Sequence, residues 1–164
     1  MVRWARGEAA PAAGTVPPGA DRPAGAFVSL YLRGKLRGCI GHLDADRPLV
    51  ETVLAMAVAA ARDDPRFPPL TSDELEGLDV ELSVLSPCRS ARAADVVPGR
   101  DGVLVRRGDR QGVFLPQVAA EFGWDRETLL TMVCRKAGLA GDAWRQDQVE
   151  LFTFEAQRIT AETA

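Results

Sequence analysis

Between Ala26 and Leu43 apolar and polar side chains alternate about a turn at Arg33-Gly34-Lys35, and that period of two commits the stretch to a β-hairpin. Phe27, Ser29 and Tyr31 take one face of the first strand, and Val28, Leu30 and Leu32 take the other. The return strand, Leu36-Arg37-Gly38-Cys39-Ile40-Gly41-His42-Leu43, holds the sole histidine and one of three cysteines. Glycine inside a strand weakens it, so Gly38 and Gly41 mark a bulge or a close approach of another backbone or a ligand. In a regular strand Arg37 and Cys39 share a face, while Ile40 and His42 take the opposite one; a bulge near either glycine would change that.

The segments that follow alternate between helix and strand signals. Asp46 is placed to cap a helix with Pro48 in its first turn. Val50, Val53, Leu54, Ala57, Val58 and Ala61 recur at helical spacing, and Pro65 must end that helix. After the connector Asp63-Asp64-Pro65-Arg66-Phe67-Pro68-Pro69, Thr71-Ser72-Asp73-Glu74 reads as a capping box that Gly77 closes. Asp79 to Leu85 is a strand with Val80, Leu82 and Val84 inward and Glu81 and Ser83 on the other face. A second hairpin is expected around Gly108-Asp109-Arg110. Two helices should follow, one from Pro116 to Phe122 and one capped by Asp125 and stopped by Gly138, with Leu129, Leu130, Val133 and Cys134 on its buried side. Val149 to Phe154 closes the pattern as a strand. This order predicts an α+β fold, a largely antiparallel sheet with packed helices. Residues 1–25, rich in Pro, Ala and Gly, read as a flexible lead-in with a short helix over Val2 to Ala9, and residues 26–160 as the domain.

With 164 residues, 46% hydrophobic and 26% charged, the chain suits one globular domain. The longest apolar run, Val53 to Ala61, is too short to span a bilayer, and no apolar leader follows Met1, so a cytoplasmic protein without membrane is expected. A net charge of -3 with no basic run argues against nucleic acid. An odd, widely spaced set of cysteines predicts free thiols in a reducing compartment.

Several segments, in order, resemble the AMMECR-one domain family, whose prokaryotic members are called AmmeMemoRadiSam system protein A. They are Leu36 to Gly41, Asp64 to Leu70, Val80 to Pro87, Phe114 to Ala119 and Arg135 to Leu139, and together they span Ala26 to about Ile159. The resemblance implies that family's α+β fold and an association with a Memo-like protein and a radical SAM protein. It supplies no reaction and no catalytic residues. Two departures stand out: the family's opening amphipathic helix is longer than Val2 to Ala9 can provide, and His42 stands where the family commonly has a small polar residue.

The site therefore rests on the residues themselves. Cys39 and Glu81 are the catalytic candidates, and Arg37, Gly38, Gly41, His42 and Arg66 the binding candidates. Arg37 beside Cys39 would favour a thiolate; against that stands the small buried hydrophobe that free cysteines usually are. Cys39-x-x-His42 is half a zinc site without its other half, so neither metal nor cofactor is expected. His42 as a base for Cys39 would need a bulge to bring it round. Glu81 is expected to pair with Arg37 or Arg66, as an active-site acid or as a structural ion pair, and Arg66 to bind an anion or brace its loop. Two functions follow: an accessory protein docking through the Leu36 to Gly41 face, or a thiol-dependent enzyme acting on a small anionic substrate or a modified protein.

Overall fold

The computed structural model describes residues 18–160, so the helix expected over Val2 to Ala9 lies outside the described residues. In chain order the elements are β1 (Ala26–Leu32), β2 (Lys35–His42), α1 (Leu49–Arg62), β3 (Leu78–Leu85), β4 (Arg89–Ser90), β5 (Gly102–Arg107), β6 (Arg110–Phe114), α2 (Pro116–Phe122), α3 (Arg126–Lys136), β7 (Glu150–Phe154) and β8 (Ala156–Thr160). They form two compact units, one of residues 18–85 with 157–160 and one of Ser86–Ala156. The fold is α+β with two antiparallel sheets rather than the one expected.

In the first unit the strands run in the order β2-β1-β3-β8, and β1 is antiparallel to both β2 and β3. Leu30 pairs with Gly38 and Tyr31 with Leu36, so the hairpin carries a bulge whose extra residue is Arg37. One face of the sheet packs on α1, where Val28 and Leu30 meet Ala57, Ala60 and Ala61, with Ile40, Val80 and Leu82 at the margin. A Cβ on Gly38 would lie 2.1 Å from the Ala60 carbonyl oxygen, so the missing side chain is what lets α1 approach β2. A Cβ on Gly41 would meet the Phe27 ring at 2.2 Å. Both glycines thus serve close packing against the chain's own backbone and ring.

One expectation about this unit is corrected. Asp46 does not cap α1; Pro48 stands at the N-cap, and the first two helical amides, of Leu49 and Val50, donate to the carbonyls of Arg22 and Ala20 at 2.9 Å. A backbone segment arriving at the helix end does the work of a side-chain cap, because orphan amides donate to any carbonyl within reach. On β3 the two faces fall as expected, with Val80 and Leu82 packed on the α1 side, and the polar face is buried as well: Glu81 is 5% and Ser83 1% exposed.

In the second unit the order is β4-β7-β5-β6. Val103 and Val105 from β5, Leu129, Leu130, Val133 and Cys134 from α3, and Leu151 from β7 form its core. Asp125 caps α3 by accepting the Thr128 amide at 2.8 Å, and Gly123 ends α2 in the left-handed conformation. Burial pushes the Cys134 thiol up, as befits a core cysteine.

Candidate functional site

Cys39 stands opposite Ser29 in the β1–β2 ladder, and Ser29 in turn stands opposite Glu81 on β3. Side chains directly across a ladder share a face, so thiol, hydroxyl and carboxylate form one row across three strands. The Ser29 hydroxyl donates to Cys39 Sγ at 3.2 Å. A fourth strand extends the row: Arg158 Nη2 on β8 donates to Glu81 Oε2. Glu81 therefore pairs with Arg158 and with neither Arg37 nor Arg66. Among the described residues its other oxygen, Oε1, is buried with no hydrogen-bond partner, and so is the Ser83 hydroxyl two residues along the same face. Buried polar atoms are normally paired, so two adjacent orphans on one face are an unusual expense of stability.

The main chain of Cys39 is clamped from the other side. β2 is an edge strand, and the outward amide of Cys39 donates to Asp64 Oδ2 at 2.8 Å while its carbonyl accepts from Arg66 Nη2 at 3.3 Å. Asp64 and Arg66 are themselves joined twice, Nε to Oδ1 at 3.0 Å and Nη2 to Oδ2 at 2.7 Å. The connector thus does for the edge what another strand would do, and it denies the edge to other chains. Arg66 holds the Asp64 carboxyl down at about 2 against the cost of burial. The Arg66 guanidinium is raised, first by Asp64 and to a lesser degree by the charge of Cys39. Its side chain is 54% exposed and lies over the Phe67 ring, leaving an oriented cation against the Cys39 main chain.

Arg37 is spent elsewhere. Bulged out of the ladder, it binds Glu74 through Nε at 2.6 Å and Nη2 at 2.9 Å, and reaches the Pro68 and Pro69 carbonyls at 2.9 and 3.4 Å. Glu74 also accepts the Thr71 amide at 2.9 Å, so the expected capping box is locked by an arginine from the hairpin. Arg37 above all holds the Glu74 carboxyl at about 2.

His42 does not join Cys39. The bulge falls before Gly38, so the strand is regular from Cys39 to His42 and the two keep opposite faces. The His42 ring nitrogen Nε2 lies 2.8 Å from Asp46 Oδ1. Gly38 and Gly41 flank the thiol as packing positions. Sequence reasoning missed Ser29, Asp64 and Arg158. Ser29 is a lone hydroxyl between Phe27 and Tyr31, and Asp64 stands two residues before an arginine; both are local signals. Nothing near Arg158 announces its partner.

In the second unit, a groove of about 500 Å³ bounded by Arg92, Trp144, Asp147 and Phe152 brings together none of the residues nominated from sequence. Among the described residues there is no group of three or more His, Cys, Asp or Glu side chains placed to hold a metal, and no helix long and apolar enough to cross a membrane.

Fold and site together define an α+β protein with a cysteine set in a buried polar row on one sheet face. The AMMECR1 family profile matches residues 3–159, and the chain belongs to that family. A protein of Methanothermobacter thermautotrophicus is 43% identical over 140 residues, covering 81% of this chain and 73% of its own length. Protein MJ0810 of Methanocaldococcus jannaschii is 40% identical over 142 residues, covering 81% of this chain and 71% of its own. The crystal structure of PH0010, an uncharacterized protein from Pyrococcus horikoshii, superposes with a TM-score of 0.92 at 36% identity, covering 98% of this chain and 85% of that one.

Proposed function

We propose that the protein is a thiol-dependent enzyme in which Cys39 is the nucleophile and Arg66 receives an anionic group of a small substrate or of a modified protein. The observation that carries this reading is the double clamp on Cys39. Its backbone is fixed by Asp64 and Arg66, its Sγ receives a hydroxyl hydrogen bond, and a half-exposed guanidinium stands at its edge. A reactive thiol needs a hydrogen-bond donor and a nearby cation on a rigid support, and all three are present.

The accessory reading has the Leu36 to Gly41 stretch docking onto a Memo-like and a radical SAM partner in the cytoplasm. It draws on the 38% exposed Leu36 at the head of β2 and on the association after which the family is named. Arg37, its central residue, is 13% exposed and commits all three guanidinium nitrogens to Glu74 and two carbonyls. Arg66 by contrast is 54% exposed and, among the described residues, uses only Nε and Nη2 on Asp64 and Cys39, which leaves this reading the weaker.

Alkylation of the native protein, read cysteine by cysteine by mass spectrometry, separates the two. Cys39 should react at neutral pH while Cys134 stays silent. Iodoacetate should be favoured over iodoacetamide at Cys39 relative to a free thiol, and Arg66→Ala should abolish that preference. A Cys39 as silent as Cys134 sinks the enzyme; an unchanged reagent preference in Arg66→Ala sinks the anion subsite.

A further inference from the structure

We infer that Ser29 and Glu81 form a proton relay for Cys39, in which the Ser29 hydroxyl carries the thiol proton to the unpartnered oxygen of Glu81. This rests on the reading of Cys39 as a nucleophile, and it adds two residues that need not touch substrate.

Three observations converge on the relay. Ser29 is the one residue directly opposite both Cys39 and Glu81, since β1 lies between β2 and β3. Its hydroxyl is already 3.2 Å from Sγ, and hydroxyl and thiol hydrogens rotate, so that contact serves in either sense. Glu81 is 5% exposed and anchored through Oε2 by Arg158, yet Oε1 has no partner among the described residues. Directly opposed residues have Cβ atoms about 5 Å apart, within reach of a serine hydroxyl and a glutamate carboxylate after side-chain rotation. A relay explains why a buried oxygen is left unpaired: it is the terminal acceptor, and a permanent partner would block it.

The step balances without a further reagent. Before reaction Sγ–H donates to Ser29 Oγ, and Ser29 Oγ–H turns to donate to Glu81 Oε1. As Sγ bonds to the substrate's electrophilic atom, that atom's bond to its electronegative substituent opens and the substituent takes the electron pair, while the S–H bond breaks and its proton passes to Oγ. The hydroxyl's own proton passes to Oε1, and Glu81 becomes a carboxylic acid while Ser29 is regenerated. Ser29 and Glu81 are positioning and proton-carrying residues; neither touches substrate, which meets Cys39 and Arg66.

Other charges face the thiol as well: Asp64 and Arg66 from the connector, Arg37 two residues before it, and Arg158 beyond Glu81. The test must therefore separate the relay from the general field. It measures the rate of iodoacetamide alkylation at Cys39 from pH 6 to 9 in the full chain, for wild type, Ser29→Ala, Ser29→Thr and Glu81→Gln. Circular dichroism and the silence of Cys134 report that each variant is folded. Ser29→Ala and Glu81→Gln should each react about a hundredfold more slowly at pH 7, the low end of a proton-transfer contribution, and converge on wild type at pH 9. Ser29→Thr keeps the hydroxyl and should retain most of the rate. If Ser29→Ala is slow but Glu81→Gln is not, Ser29 merely hydrogen-bonds the sulfur and the relay is overturned. If both folded variants match wild type, the relay is overturned while the reactive thiol stands. A wild-type Cys39 inert across the whole range overturns the thiol reading itself.

Discussion

Gly38 and Gly41 bracket Cys39, yet each answers to a different neighbour. The oxygen that a Gly38 side chain would strike, at 2.1 Å, belongs to the backbone of α1 and can yield only if the helix moves. Gly38→Ala should therefore destabilise by about 3 kcal/mol, the upper part of the range for overpacking, read as a lowered denaturation midpoint at unchanged slope. Gly41→Ala meets the ring of Phe27, and Phe27→Leu in the same chain should recover part of its loss. If Gly38→Ala is neutral, the close approach of β2 and α1 has been misjudged. At this scale the sequence was informative about type and poor about partners. Two interior glycines announced crowding, and Cys39 announced itself, because both are chemical oddities in a strand. That Glu81 would find Arg158 was not legible, because a carboxylate at the centre of a sheet is served by whichever cation the topology delivers.

Elements rest on local periodicity and capping chemistry, and most were legible for that reason. The hairpin, α1, β3 and the capped α3 all follow residues that carry their own signals. Where reading failed, a distant backbone had replaced a side chain, as when the Arg22 and Ala20 carbonyls take the amides offered by α1. The connector between α1 and β3 shows the cost of such long-range fastening. It is held by two carboxylates, Asp64 and Glu74, both at about 2 in the folded protein. Their unfolded values are higher, so the stability they contribute is whole above about pH 4.5 and is lost as pH falls through about 2. Each contributes on the order of 2 kcal/mol, since Glu74 is 23% and Asp64 2% exposed at the side chain. Acid titration of stability should accordingly fall steeply between those limits. Arg37→Ala should cost about 2 kcal/mol at pH 7 and almost nothing at pH 2. A variant whose deficit is the same at both pH values would show that Arg37 acts through packing alone.

Across the whole molecule, the first unit is assembled from two separated stretches of chain, with Ser86–Ala156 forming the second unit between them. β8 brings Arg158 to a carboxylate 77 residues earlier, and removing that half-exposed partner leaves the buried Glu81 stranded. A chain truncated after Ala156 should lose about 3 kcal/mol, the low end for breaking a buried pair. Hydrogen exchange should accelerate most in Leu78–Leu85, less in Ala26–Leu32. If Gly102–Arg107 loosens equally, the two units melt as one and the loss cannot be assigned to the stranded carboxylate. The α+β class was legible at this scale, while β4 and β8 were not; the division into two sheets depends on pairings between strands far apart in sequence, for which alternation holds no information.

That late strand also sets a clock. A ribosome adding about 5–20 residues per second needs roughly 4–15 s to pass from Glu81 to Arg158. For that interval the hairpin, α1 and β3 already exist as chain, while the carboxylate at their centre has no counter-ion. A nascent chain in this state must leave Glu81 to water, and that keeps the polar row from closing. The order of synthesis thereby makes the Cys39 site the last part of the first unit to be completed.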